Sequence, residues 1–101
     1  MMMNANILNN LNDFFSNQPI EKAWLFGSYA REENTSNSDI DLLVRFSPDA
    51  KMTLFKYGGM VYELEQLTGH KVDMVQEKML KPFAQKSVEQ DKILIYERKT
   101  T

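Results

Sequence analysis

The sequence predicts an α/β fold, a small mixed β-sheet with helices packed on it. Two long segments carry apolar residues at helical spacing. Short apolar, partly β-branched or aromatic runs fall between them, and turn-forming residues separate one segment from the next. With 101 residues, the expected organisation is a single domain over 1–101. A domain of this size buries only about two-thirds of its unfolded surface, so each apolar face must be covered efficiently.

Ile7, Leu8, Leu11, Phe14 and Phe15 predict an amphipathic helix over residues 5–16, with Asn4 placed to cap it and Pro19 to force a break after it. Ala23-Trp24-Leu25-Phe26 is a buried strand ending at Gly27. Residues 28–33 read as one or two helical turns beginning at Ser28, and Asn34 to Ser38 is turn chemistry. Ile40 to Phe46 forms the second strand, closed by Ser47-Pro48-Asp49. Leu54, Val61, Leu64 and Leu67 predict a second long helix, with Thr53 as N-cap and Gly69 as its stop. Gly58-Gly59 inside it costs about 1 kcal/mol per residue relative to Ala, which suggests a kink or close packing. Lys71 to Gln76 is a third strand. Pro82 opens a last helix to Asp91, and Ile93 to Tyr96 forms a short fourth strand.

Composition narrows the function. The formal net charge of −2 argues against broad, sequence-independent binding of nucleic acid, which depends on many Lys and Arg contacts to phosphate. With no cysteine, disulfides, zinc-thiolate sites and cysteine nucleophiles are excluded. No apolar run approaches the ~20 residues needed to span a bilayer. The opening Met1-Met2-Met3 does not read as a signal peptide, and a cytoplasmic location is expected.

The chemistry concentrates in Phe26-Gly27-Ser28-Tyr29-Ala30-Arg31 and in Ser38-Asp39-Ile40-Asp41-Leu42-Leu43-Val44. Residues two apart on a strand share a face, so Asp39 and Asp41 project side by side, their α-carbons roughly 6–7 Å apart, while Ile40 and Leu42 turn into the core. Adjacent carboxylates repel unless a cation stands between them. Mg²⁺ suits this, because it takes one or two carboxylates and completes its shell with water and substrate phosphates. Gly27 lets the backbone approach a phosphate, and a helix beginning at Ser28 offers unpaired N–H groups. Asp73, flanked by Val72, Met74 and Val75, is an acid in an apolar strand and needs a partner or a metal. Two readings of Arg31 stay open, contact with phosphate or pairing with Glu32, Glu33 or another surface acid. His70 reads as a surface turn residue. Trp24 and the Met and Phe residues read as core, and Lys78, Lys81, Lys86, Lys92, Arg98 and Lys99 as a solvated face.

Gly27-Ser28, ten intervening residues and then Asp39-Ile40-Asp41 resemble the signature of the polymerase-beta-like nucleotidyltransferase superfamily. The flanking residues and the later Lys71-Val72-Asp73-Met74-Val75 are similar to the minimal nucleotidyltransferases called MNT proteins, and the resemblance runs from about Trp24 to Tyr96. It implies a single nucleotidyltransferase domain of the polymerase-beta-like fold. Asp39, Asp41 and Asp73 would be catalytic and would bind one or two Mg²⁺ ions, while Gly27, Ser28 and Arg31 would hold ATP. It also implies a partner. MNT proteins are commonly paired with a HEPN-domain ribonuclease toxin, which they neutralise as antitoxins, in some cases by transferring AMP from ATP to a tyrosine of the toxin. One position departs from the family pattern, since Glu32 stands where members often carry Gly, adding negative charge beside a phosphate site.

Three activities remain open on the sequence. The first is transfer of a nucleoside monophosphate to a hydroxyl of a partner protein. The second is a non-catalytic antitoxin that acts by complex formation. The third is transfer to a small molecule, which would need an acceptor wall from a homodimer or hetero-oligomer. An extended nucleic acid and a membrane are not expected partners.

Overall fold

The computed structural model describes residues 5–35 and 37–99. The expected cap Asn4 lies outside them. Helix α1 spans Ala5–Ser16, strand β1 Ile20–Phe26, the single turn α2 Gly27–Ala30, and β2 Ile40–Phe46. Helix α3 spans Leu54–Thr68, β3 Val72–Gln76, α4 Pro82–Asp91 and β4 Ile93–Glu97, with a 3-10 turn over Glu77–Met79. The four strands form one mixed sheet in the order β3-β2-β1-β4. β1 runs antiparallel to β2 and β4, and β2 runs parallel to β3. A parallel pair needs a long crossover, and α3 provides it between β2 and β3.

Each face of the sheet is covered differently. Ile40, Leu42 and Val44 of β2, with Val72 and Met74 of β3, bury against Leu11, Phe14 and Phe15 of α1 and Met60 and Leu64 of α3. On the opposite face, Trp24, Leu43 and Val88 of α4 make a smaller cluster. Arg45 and Lys92 lie 5.4 and 4.6 Å from the Trp24 ring centroid, and the Arg45 guanidinium also binds both carboxylate oxygens of Glu77.

Helix boundaries obey their chemistry. The Thr53 side chain accepts from the Lys56 N–H at 3.1 Å, and Gly69 ends α3 at φ 71°. Pro82 sits in the first turn of α4. Strand β1 begins at Ile20, earlier than the apolar run suggests, because Glu21 and Lys22 lie on strand too, Lys22 pairing with both Arg45 and Glu97.

Several side chains sit otherwise than expected. Gly58 and Gly59 face open space, so close packing does not explain them. Phe55 is 91% exposed, and Phe83 and Met79 are exposed as well, so not every Phe and Met is core. Arg98 is no solvated lysine-like charge. Its guanidinium donates to the carbonyls of Phe15, Ser16, Gln18 and Ile20, tying the end of α1 to the start of β1. His70 is half-buried and meets the buried Tyr29 edge-on at 5.8 Å, with the Tyr29 hydroxyl 3.4 Å from its ring nitrogens.

Candidate active site

The sheet brings the predicted acids to one end and one face. Asp41 is the direct register partner of Asp73 across the parallel β2–β3 pair, and partners in register point to the same side of a sheet. Asp39 lies two residues before Asp41, just ahead of β2, and is exposed, whereas Asp41 is half-buried. Asp73 is exposed. Burial pushes the Asp41 carboxyl up from its ordinary value, and the charges of Asp73 and Asp39 push it further, with Arg31 pulling weakly the other way.

The glycine-serine corner closes on this group. Phe26, the last residue of β1, pairs with Asp41, so the chain leaves β1 directly beside that carboxylate. Gly27 adopts φ 71°, and a Cβ built there would overlap Asp41 Oδ2 and lie 2.9 Å from its Cγ. Only a residue without a side chain lets backbone and carboxylate come this close. Helix α2 starts at Gly27 with Phe26 in the N-cap position, so Ser28 is inside the turn and is not its cap. One turn has little macrodipole. It contributes its first N–H groups, which have no partner within the turn, and the Ser28 hydroxyl.

Arg31 has a defined place. Its Nε donates to Glu33 at 2.9 Å and its Nη1 to Asp91 at 3.1 Å. These bonds, Glu33 first, hold it firmly charged. Asp91, the last residue of α4, is a contributor that no sequence pattern marked. Glu32 is exposed and adopts φ 60°, the one positive φ among the described non-glycine residues.

Among the described residues, no three acids or histidines close on one point to enclose an ion by themselves. The donor set still fits Mg²⁺, which keeps several waters and takes few protein ligands when phosphates supply the rest. Asp41 and Asp73 stand side by side, and the bare Cα of Gly27 keeps a side chain from crowding the Asp41 carboxylate.

The family model described as "Nucleotidyltransferase domain" matches residues 6–95. The chain belongs to the nucleotidyltransferase family. A Methanocaldococcus jannaschii protein named as a presumed protein adenylyltransferase is 40% identical over 72 residues, covering 70% of this nucleotidyltransferase and 72% of the relative. Protein adenylyltransferase MntA of Thermococcus cleftensis is 36% identical over 69 residues, 68% of each chain. A solved structure described as a minimal nucleotidyltransferase superposes with TM-score 0.71 at 32% identity, covering 88% of both chains. A toxin–antitoxin crystal structure with AMP-PNP superposes at TM-score 0.77 and 18% identity, covering 91% of this chain and 74% of the other, which speaks to the fold. So does a Shewanella oneidensis complex of a tri-AMPylated HEPN toxin with an MNT antitoxin, at TM-score 0.69 and 16% identity over 91% and 71%. The polymerase-beta-like fold expected from the sequence is thus the one observed. No helix among the described residues is long and apolar enough to cross a membrane.

Proposed function

We propose that the chain transfers AMP from ATP to a hydroxyl on a partner protein, and that the partner is a HEPN-domain toxin which it neutralises as antitoxin. The observation that carries the chemistry is the register pairing of Asp41 with Asp73 beside the Gly27–Ser28 corner. The names of the relatives and the toxin–antitoxin assemblies among the structural neighbours support the acceptor and the partner.

In this reading Asp39, Asp41 and Asp73 hold one or two Mg²⁺ ions, which when bound neutralise the triphosphate and polarise its α-phosphorus. Backbone N–H groups at Gly27 and Ser28, with the Ser28 hydroxyl, orient the β- and γ-phosphates. Arg31, pinned by Glu33 and Asp91, keeps part of its guanidinium for phosphate. The acceptor oxygen bonds to the α-phosphorus as the bond from that phosphorus to the bridging oxygen of the β-phosphate breaks. The electron pair leaves with pyrophosphate, and the hydroxyl proton passes to Asp73 and on to solvent. The rate comes chiefly from positioning and charge stabilisation.

The test changes Asp39 and Asp41 together to Ala and measures two things separately. Loss of labelled-AMP transfer with toxin binding intact supports the enzyme. Full neutralisation of the toxin by wild type, with no transfer detected at any Mg²⁺ or ATP concentration, overturns it in favour of a binding module.

A further inference from the structure

Asp91 stands where its own helix gains nothing from an acid. It is the last residue of α4, and the partial negative charge at a helix C-terminus disfavours a carboxylate there. Its partner lies on another element. Oδ2 accepts from Nη1 of Arg31 at 3.1 Å, joining α4 to the chain just after α2 across 60 residues of sequence. Glu33 takes Nε of the same guanidinium at 2.9 Å. Glu33 is itself anchored to α2, its backbone N–H donating to the Ser28 carbonyl at 2.8 Å.

Arg31 starts from the border of the predicted acids. Its backbone N–H donates to the Gly27 carbonyl at 3.1 Å, and Gly27 is packed against the Asp41 carboxylate. The Arg31 charge reaches Asp41 from there. Neighbouring carboxylates attract a guanidinium placed so near. Among the described residues, however, its ion pairs go to Glu33 and Asp91. A guanidinium carries five N–H donors. Glu33 and Asp91 each take one, so three remain, and the side chain is 43% exposed, which leaves those donors open to a ligand.

We infer that Asp91 is a positioning residue for the nucleotide: by bonding Arg31 from α4, it holds the guanidinium at the Gly27–Ser28 corner and off the Asp41 carboxylate, so that the free donors meet the triphosphate. This rests on the transferase reading above and adds a residue that acts without touching substrate. The sign of the effect separates it from a direct role. Asp91 is negative, and a negative charge acting directly repels a triphosphate, so its removal would tighten binding. Acting through Arg31, its removal loosens binding, because the released guanidinium turns to the acids and cancels charge that a metal–nucleotide complex needs.

The experiment is calorimetry of the full chain with AMP-PNP and Mg²⁺, comparing wild type, Asp91→Ala, Asp91→Asn, Arg31→Ala and the double variant Asp91→Ala with Arg31→Ala. If wild type binds no nucleotide, the transferase reading fails and the inference falls with it. With wild-type binding established, Asp91→Ala is expected to weaken affinity about tenfold, the scale of one charge-assisted bond to phosphate. Asp91→Asn keeps an acceptor for Nη1 without the charge, and its affinity should lie between those two. Arg31→Ala should lose about the same factor as Asp91→Ala, and the double variant should bind no more weakly than Arg31→Ala alone, because the two residues act as one unit. Each affinity is measured below the unfolding range of its variant, so lost folding does not mimic lost binding. An Asp91→Ala variant that binds as well as wild type or better, or a double variant clearly weaker than Arg31→Ala, would each overturn the inference and leave the transferase reading in place.

Discussion

Gly27 and Asp41 are in such close contact that a single added carbon at residue 27 would collide with the Asp41 carboxylate. The left-handed backbone of Gly27 is a second, independent demand at the same position, at φ 71°. Gly27→Ala therefore costs about 1–2 kcal/mol from the backbone alone, and it displaces Asp41 as well. A fall of several degrees in Tm, on the order of that free energy for a domain of this size, is expected together with lost AMP-PNP binding in calorimetry. A variant with unchanged Tm and affinity would mean the corner is not tight.

Asp41 should be a destabilising residue retained for chemistry. Burial, then Asp73, then Asp39 raise its carboxyl. A raised acid folds more stably with its proton on, so stability is gained as pH falls through the folded value and lost as pH rises above it. Asp41→Asn removes the cost of the charged form at neutral pH. Its Tm is expected to exceed wild type by on the order of a few degrees at pH 7, with the gap closing as acid protonates Asp41, while AMP transfer disappears. A gap that widened with acid would contradict the assigned cause.

Glu32 explains a departure from the family pattern in physical terms. Its backbone sits at φ 60°, where an L residue costs roughly 1–2 kcal/mol and glycine almost nothing. Glycine loses part of that advantage through its freer unfolded chain. Glu32→Gly is thus expected to raise stability by about 0.5–1 kcal/mol in urea unfolding. Because the Glu32 side chain is exposed, nucleotide affinity should change little at physiological salt. A marked gain in affinity would show instead that its charge opposes the phosphates.

Arg98 holds the far side of the sheet. Four carbonyls, those of Phe15, Ser16, Gln18 and Ile20, converge on one guanidinium. Hydrogen bonds to a charged group contribute about 1.5–3 kcal/mol each when one partner is deleted, less where solvent competes. Arg98→Ala is expected to lower stability by roughly 2 kcal/mol. Arg98→Lys should recover only part of it, since an ammonium lacks the planar fork. Equal stability of the Lys variant and wild type in thermal unfolding would refute the fork's role.

Local periodicity and turn chemistry determined most of the elements in sequence. The helices over Ala5–Ser16 and Pro82–Asp91 and the strand over Ile40–Phe46 stand where the pattern put them, because apolar spacing and Pro or Gly punctuation act within a few residues. The spacing of Gly27-Ser28 and Asp39-Ile40-Asp41 likewise marked the candidate site, since the closeness of Gly27 to Asp41 depends on one strand, one turn and the next strand. Other features depended on contacts between distant segments. That Asp73 meets Asp41 is a matter of β2–β3 register, decided by how α3 returns the chain. Arg31 finds Asp91 across 60 residues, and Arg98 finds the end of α1 from the opposite end of the chain. Leu54 and Met79 read as ordinary apolar residues until the fold leaves them exposed. Short-range chemistry is written residue by residue, whereas register, long-range pairing and exposure exist only once the whole sheet has closed.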